Sequence, residues 1–203
     1  MGTEAKNARV GAVVLAAGGS LRMGQPKQLL PVGGRPMVRL VTEAAVSAGL
    51  AQVVVVIGAN ADAVRTALAG LPVEIVFNEA WADGLSSSVR AGLRALHPGT
   101  QAALLVLGDQ PALTADLLRL LVDRYLATGA PIVAPFYQGQ RGNPVLLDRA
   151  LFPELSAVEG DRGGRALIDR YREQVERVDV EDAAVIMDID SPQDYEGIIG
   201  DTG

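Results

Sequence analysis

Two cations and a carboxylate are spaced for phosphate chemistry. Residues 15–27 read LAAGGSLRMGQPK. Gly18 and Gly19 have no β-carbon, so the backbone there can turn sharply and come close to a ligand. Clustered backbone N–H groups in such a turn make an anion-binding concavity. Arg22 adds a two-pronged guanidinium and Lys27 a point charge. With Leu15, Ala16, Ala17 and Ser20 they describe a phosphate cradle. The segment is neither a Walker A loop nor a dinucleotide fingerprint, because GxxxxGK[ST] and GxGxxG are both absent. A glycine turn with two solvated cations is the plain alternative. Farther along, GDQP (108–111) follows the apolar run AALLVL, so Asp109 stands just past a strand end. A carboxylate there can hold Mg2+ against nucleotide phosphates. The alternative is a simple strand-ending turn, since Gly, Asp and Pro are turn residues.

These residues need a scaffold, and the apolar pattern supplies one. Short, nearly continuous apolar runs recur at Val10–Ala17, Val53–Ile57, Val73–Phe77, Ala103–Leu107 and Ile132–Phe136. Continuous rather than alternating runs fit strands covered on both faces, as in a parallel sheet. Amphipathic segments lie between them at Met37–Ala48, Ala61–Ala69, Ser86–Leu96 and Thr114–Thr128. In the last, Leu117, Leu120, Leu121 and Leu126 make much of one face, with Thr114 as N-cap and Gly129 as the stop. Strand alternating with helix predicts an α/β fold: a Rossmann-like three-layer α/β/α sandwich with a mostly parallel central sheet. Ligands of such sheets bind at the carboxyl ends of strands, where the glycine loop and Asp109 both fall. After Phe136 the rhythm breaks. RGNPVLL reads as another short strand, EGDRGGRALIDR as a loop entering a helix, and VERVDV and AAVIMDID as late strands. SPQDYEGI closes the chain as a helix with Ser191 as N-cap, Pro192 at the first turn and Asp194 at N3. Asp188 and Asp190 share one face of the last strand, and Asp188 reads as solvent-facing on an edge. No linker or repeat divides the 203 residues, which read as one domain. Its nucleotide-binding part spans about 9–112 and its acceptor-binding part about 113–200.

Composition excludes several chemistries. The net charge of -6 argues against nucleic acid as a partner. The chain has no cysteine and one histidine, His97. That removes disulfides, thiolate metal sites and a cysteine nucleophile, and disfavours a Ser-His-Asp triad. The first ten residues, MGTEAKNARV, carry no apolar leader, and no apolar run approaches the roughly 20 residues of a membrane span. The expectation is a cytoplasmic protein with no membrane partner.

The stretch LAAGGSLRMGQPKQLLPVGGRPM resembles the LAAGxSxRMGxxKxLLP signature of nucleotidyltransferases with the MobA-like fold. NEAWADGLSSSVRAGL, LLVLGDQPALT, RGNPVLL, GDRGGR and MDIDSPQDY continue the resemblance in the same order over nearly all of the chain. The combination of GLSSS, GDQP and GDRGGR is similar, more narrowly, to the molybdenum cofactor cytidylyltransferase family. That resemblance implies transfer of CMP from CTP to the terminal phosphate of a molybdopterin-type cofactor, with Mg2+ and release of pyrophosphate. It implies Arg22, Lys27 and Asp109 as catalytic groups, Asp109 and Asp190 as metal ligands, and Gly84, Ser86 and Ser87 against the nucleoside. Arg141, Gly142, Asn143, Asp161 and Arg165 then surround the acceptor. Asn143 stands where family members often carry histidine, so the acceptor stays open. Trp81 reads as packing. The guanylyltransferase branch tends to show LAGG and an aspartate before the lysine, where this chain has LAAG and QPK. A GTP-dependent or sugar-phosphate relative is the alternative enzyme. A protein that delivers the cofactor to a molybdoenzyme without making it is the alternative of another class, and a molybdoenzyme receiving the product fits either.

Overall fold

Four of the five apolar runs become strands buried under helices on both faces, and the fifth forms a half-exposed strand at the sheet edge. The computed structural model describes residues 10–20, 25–160, 164–189 and 191–200. Arg22, Asp161 and Asp190 lie outside the described residues. In chain order come β1 (Val10–Ala16), the short strands β2 (Pro31–Val32) and β3 (Arg35–Pro36), α1 (Met37–Ser47), β4 (Gln52–Ile57), α2 (Ala61–Ala67), β5 (Glu74–Phe77) and α3 (Leu85–Ala95). Then follow β6 (Ala102–Leu107), α4 (Ala115–Thr128), β7 (Ile132–Tyr137), β8 (Gln140–Arg141), β9 (Val145–Asp148), α5 (Phe152–Ala157), α6 (Arg165–Arg170), β10 (Val175–Asp179) and α7 (Pro192–Gly200). The main sheet runs β10-β7-β9-β6-β1-β4-β5, with β8 paired to β7.

Every residue of β1 is buried, and successive side chains go to opposite faces. Val10, Ala12, Val14 and Ala16 join one core with Val38 and Val41 of α1, Val64 of α2 and Leu118 and Leu121 of α4. Val13, Leu15 and Ala17 join the other with Val89 and Leu93 of α3, Leu155 of α5 and Leu167 and Ile168 of α6. The result is the expected three-layer α/β/α sandwich. β1 pairs in parallel with β4 and β6, and β4 with β5, so their carboxyl ends share one rim. The departure is β9, which enters between β6 and β7 and is antiparallel to both.

Helix α3 sits unusually close to the sheet. A β-carbon at Gly92 would overlap Val13 Cγ1 and lie 3.0 Å from Val56 Cγ2. Alanine normally gains about 1 kcal/mol over glycine inside a helix. Overpacking a rigid core costs about 1–3 kcal/mol. Gly92→Ala is therefore expected to destabilise the chain by up to roughly 2 kcal/mol. The urea midpoint of unfolding measures it, and a higher midpoint for the variant is the contrary result.

Two late expectations need correction. AAVIMDID is not a strand: residues Ala183–Ile186 curl into a 3-10 turn, and Met187–Ile189 are irregular. Asp182 Oδ1 accepts from Ala184 N at 2.9 Å and starts that turn. In α4 the buried stripe is Leu118, Leu121, Val122 and Tyr125, while Leu120 is exposed. Leu117 and Leu126 pack partly buried beside that stripe, and the Tyr125 hydroxyl donates to Asp148 Oδ2 on β9 at 2.6 Å. Burial, with this bond to a carboxylate, pushes the Tyr125 phenol well above its ordinary pKa. The remaining caps form as expected. Thr114 Oγ1 accepts from Leu117 N, Gly129 closes α4 at φ 66°, and Ser191 and Asp194 bond reciprocally at the start of α7.

Candidate active site

The rim at the ends of β1, β4 and β6 gathers most of the residues that the sequence singles out. β1 ends at Ala16, and Ala17, Gly18, Gly19 and Ser20 carry the chain over the edge. Gln28, at 4% exposure, ties this turn down. Its Nε2 donates to Gly18 O at 2.9 Å and to Ala16 O at 3.4 Å. Its Oε1 accepts from Ser20 Oγ at 3.0 Å, and Ser20 Oγ accepts from Lys27 N at 2.9 Å. Ser20 is held at φ 53° by these contacts. One amide thus fixes both ends of the glycine turn and the start of the lysine segment.

Trp81 packs under the same turn. A β-carbon at Gly58 would lie 2.5 Å from Trp81 Cβ and 2.8 Å from Ala17 O, and one at Gly19 would lie 3.2 Å from the indole. The tryptophan therefore braces the loop from below, as its reading as a packing residue implies.

Asp109 reaches the rim from β6. Gly108 N donates to Leu15 O at 3.0 Å, which locks the GDQP turn against the end of β1. Lys27 Nζ then stands 2.5 Å from Asp109 Oδ2, so the two groups assigned to catalysis meet directly. Asp109 Oδ1 is buried and has no hydrogen-bond partner. A buried carboxylate oxygen without a partner is costly unless something positive arrives. No group of three potential side-chain metal ligands lies among the described residues. A hard divalent ion bound by one or two carboxylates plus phosphate oxygens and water does not require such a group. Asp109 fits that arrangement, and Asp190 falls outside the described residues.

The GLSSS segment opens α3 behind Gly84, which has φ 101°. Ser87 Oγ lies 2.7 Å from Ala80 O and 2.8 Å from Gly84 O, and it accepts from Asn78 Nδ2 at 2.8 Å. Its hydroxyl is thus engaged with the turn that presents Gly84. Ser88 Oγ accepts from the same Asn78 amide at 3.0 Å. Ser86 Oγ differs, being buried with no partner.

A cavity of about 340 Å3 opens beside this rim. Leu15, Leu107, Val145 and Ile168 give it an apolar floor, and Arg141, Gly142, Asn143 and Arg165 line it. Burial lowers the Arg141 pKa, Asp169 opposes that shift, and Arg165 adds to it. Two guanidiniums close enough to disfavour each other make a receptive site for a phosphate. Gly142 is required by close packing: a β-carbon there would collide with the Val185 carbonyl of the 3-10 turn. Asn143 N donates to that carbonyl at 2.8 Å. Asp188 is exposed, as its solvent-facing reading expects, but it stands in an irregular segment rather than on a strand and also lines the cavity.

Gln28, Asn78, Gln110 and Asp188 are the site's unforeseen members. The signals available were Gln28 in PKQLLP, Gln110 beside Asp109 in GDQP, and the acidic alternation of MDID.

Comparison with known proteins gives concordant matches. Residues 12–176 match the model of the MobA-like NTP transferase domain. The chain is 36% identical to nicotine blue oxidoreductase of Paenarthrobacter nicotinovorans, over 88% of its own length and 91% of that protein. It is 28% identical to the molybdenum cofactor cytidylyltransferase of Escherichia coli K12, over 90% of its length and 92% of that protein. Rv0371c of Mycobacterium tuberculosis H37Rv, solved in complex with manganese, superposes with a TM-score of 0.82 at 32% identity, covering 95% of this chain and 98% of that one. Among the described residues no helix is long and apolar enough to cross a membrane.

Proposed function

Since the chain belongs to the MobA-like NTP transferase family, we propose that it moves CMP from CTP to the terminal phosphate of a molybdopterin-type acceptor. It is a nucleotidyltransferase of that family. The observation that carries the finer reading is the Asp109 carboxylate, with one buried, partnerless oxygen and the other on Lys27, beside the clamped glycine turn. The choice of base is supported by the 28% identity with the cytidylyltransferase. Divalent-metal use is supported by the manganese complex of Rv0371c, and Mg2+ is the ion proposed here.

Arg22 and the turn's amides hold the β- and γ-phosphates, and Lys27 lies beside the α-phosphate. Leu15, Ala16, Ala17, Gly18, Gly19 and Ser20 line the nucleotide, and Gly84, Ser86 and Ser87 meet the nucleoside. Asp109 and Asp190 hold the divalent ion, which, when bound, offsets the negative charge of the triphosphate. The acceptor occupies the part from about 113 to 200, against Arg141, Gly142, Asn143, Asp161 and Arg165. An oxygen of its terminal phosphate attacks the α-phosphorus in line. The bond from the α-phosphorus to the bridging oxygen breaks, and pyrophosphate leaves with the electron pair. A phosphate monoester has a second pKa of about 6, so it is already ionised near neutrality and no general base is needed. Positioning and charge compensation carry the rate. A molybdoenzyme is the proposed recipient of the product.

Calorimetric titration with CTP and with GTP, with and without Mg2+ or Mn2+, tests this reading. Metal-dependent CTP binding at least about tenfold tighter than GTP is expected, a difference of about 1.4 kcal/mol. Preference for GTP assigns the guanylyl branch instead. The 36% identity with nicotine blue oxidoreductase favours a second reading, an oxidoreductase on this fold. Pyrophosphate release without an added electron donor separates the two, because only transfer produces it.

A further inference from the structure

Leu120 is the leucine that α4 leaves outside. It is 43% exposed, although its neighbours Leu118 and Leu121 are fully buried. A single exposed leucine is ordinary. Leu120 is not single. With Leu117, Val180 and Ala184 it makes the floor of a groove of about 380 Å3, between the start of α4 and the segment that follows β10. Leu117 and Val180 pack against the core below, so the floor is continuous with the interior. Val185 lines both this groove and the cavity beside the rim, so the 3-10 turn Ala183–Ile186 stands between the two.

The rim of the groove is acidic. Asp116, Asp179, Glu181 and Asp182 line it, and among the described residues no lysine or arginine does. Arg119 meets Asp116 at 2.5 Å and Arg177 meets Asp179 at 2.7 Å without lining the groove themselves. Glu181 and Asp182 enter no ion pair among the described residues, and Asp182 spends one oxygen on Ala184 N. A contiguous apolar floor with a polar rim marks a binding face, and the sign of the rim selects what binds. Carboxylates repel the phosphates of nucleic acids and of anionic lipids. They also oppose a second copy of this chain, because a two-fold contact would set the same four groups against themselves. The complementary occupant is a polypeptide segment with aliphatic side chains for the floor and arginine or lysine for the rim.

We propose that this groove docks a cationic segment of a partner protein, with an aliphatic side chain against Leu117 and Leu120 and a flanking arginine or lysine at Glu181 and Asp182. Leu120 supplies the apolar contact, and Glu181 selects by charge. The docking is a matter of surface and involves no reaction step, so it stands or falls apart from the transferase activity.

The probes are short dye-labelled synthetic peptides with two leucines flanked by arginines, the leucines spaced two, three or four residues apart to suit extended or helical binding. Fluorescence anisotropy with the full chain is expected to show binding of at least one. Its counterpart with serine in place of leucine is expected to bind about tenfold more weakly. Leu120→Ser and Glu181→Arg are each expected to weaken the leucine peptide by about tenfold. Glu74→Arg makes the same charge change on β5, far from β10 in the strand order, and is expected to leave binding within about twofold. All three positions are exposed, and thermal unfolding establishes that each variant is folded. Should Leu120→Ser disturb the melt, Glu181→Arg against Glu74→Arg decides alone. Failure of every peptide to bind overturns the proposal, as does binding unchanged by both Leu120→Ser and Glu181→Arg. Equal losses in Glu181→Arg and Glu74→Arg reduce the effect to net charge and also overturn it. Sedimentation showing a dimer that Leu120→Ser dissolves assigns the groove to a second copy and overturns the partner.

Discussion

Alanine in place of Asp109 is expected to lower nucleotidyl transfer by on the order of 10^3-fold while leaving the fold intact. The carboxylate stands at the end of β6, where its buried Oδ1 has no protein partner and its Oδ2 meets Lys27 at 2.5 Å. Nothing in the two cores depends on it, because the turn is held by the backbone bond from Gly108 N to Leu15 O. The loss should therefore fall on turnover and metal affinity rather than on stability. Pyrophosphate release, Mn2+ binding by electron paramagnetic resonance and the melting temperature separate these effects. Activity within tenfold of wild type would remove Asp109 from the mechanism.

Lys27→Ala is expected to act in two opposite directions. Transfer should fall by on the order of 10^2-fold or more, because the variant loses a cation beside the phosphates. Binding of Mn2+ without nucleotide should instead tighten by roughly tenfold, the size of effect that one neighbouring opposite charge has on a carboxylate. The ammonium and the metal ion compete for the same group, and removing the ammonium leaves Asp109 Oδ2 to the metal. A structural role for the pair predicts that both quantities fall together. Parallel losses in turnover and in nucleotide-free Mn2+ affinity would therefore count against the assignment.

The parts of this molecule legible in the sequence are those governed by local pattern. Strands β1, β4, β6 and β7 are continuous apolar runs because helices cover them on both sides, and their runs mark their bounds to within a residue or so. The glycine turn and Asp109 are legible because strand ends fix where they must lie. The rest depends on partners that no local pattern names. Gln28 and Gln110 are polar residues buried against carbonyls and hydroxyls of other segments. MDID alternates with a period of two, as a strand does. Here the alternation separates Ile189, buried with Leu30 and Met37, from Asp188 at the cavity. In α4 Leu120 alone of the leucines turns outward, while Leu117 and Leu126 pack partly buried against the core that holds Leu118, Leu121 and Tyr125. The antiparallel insertion of β9 between β6 and β7 is a matter of topology, not of composition.

The Gln28 clamp has a thermodynamic consequence for affinity. Confining one residue's backbone to a single conformation costs about 1–2 kcal/mol of entropy at room temperature. Ala16, Gly18 and Ser20 are confined by bonds to one buried side chain of the chain itself. That cost is met when the chain folds, so it is not subtracted again when a triphosphate arrives. A loop rich in glycine ordinarily suggests adaptability bought at the expense of binding strength. In this protein the glycines supply close approach, and the glutamine supplies preorganisation.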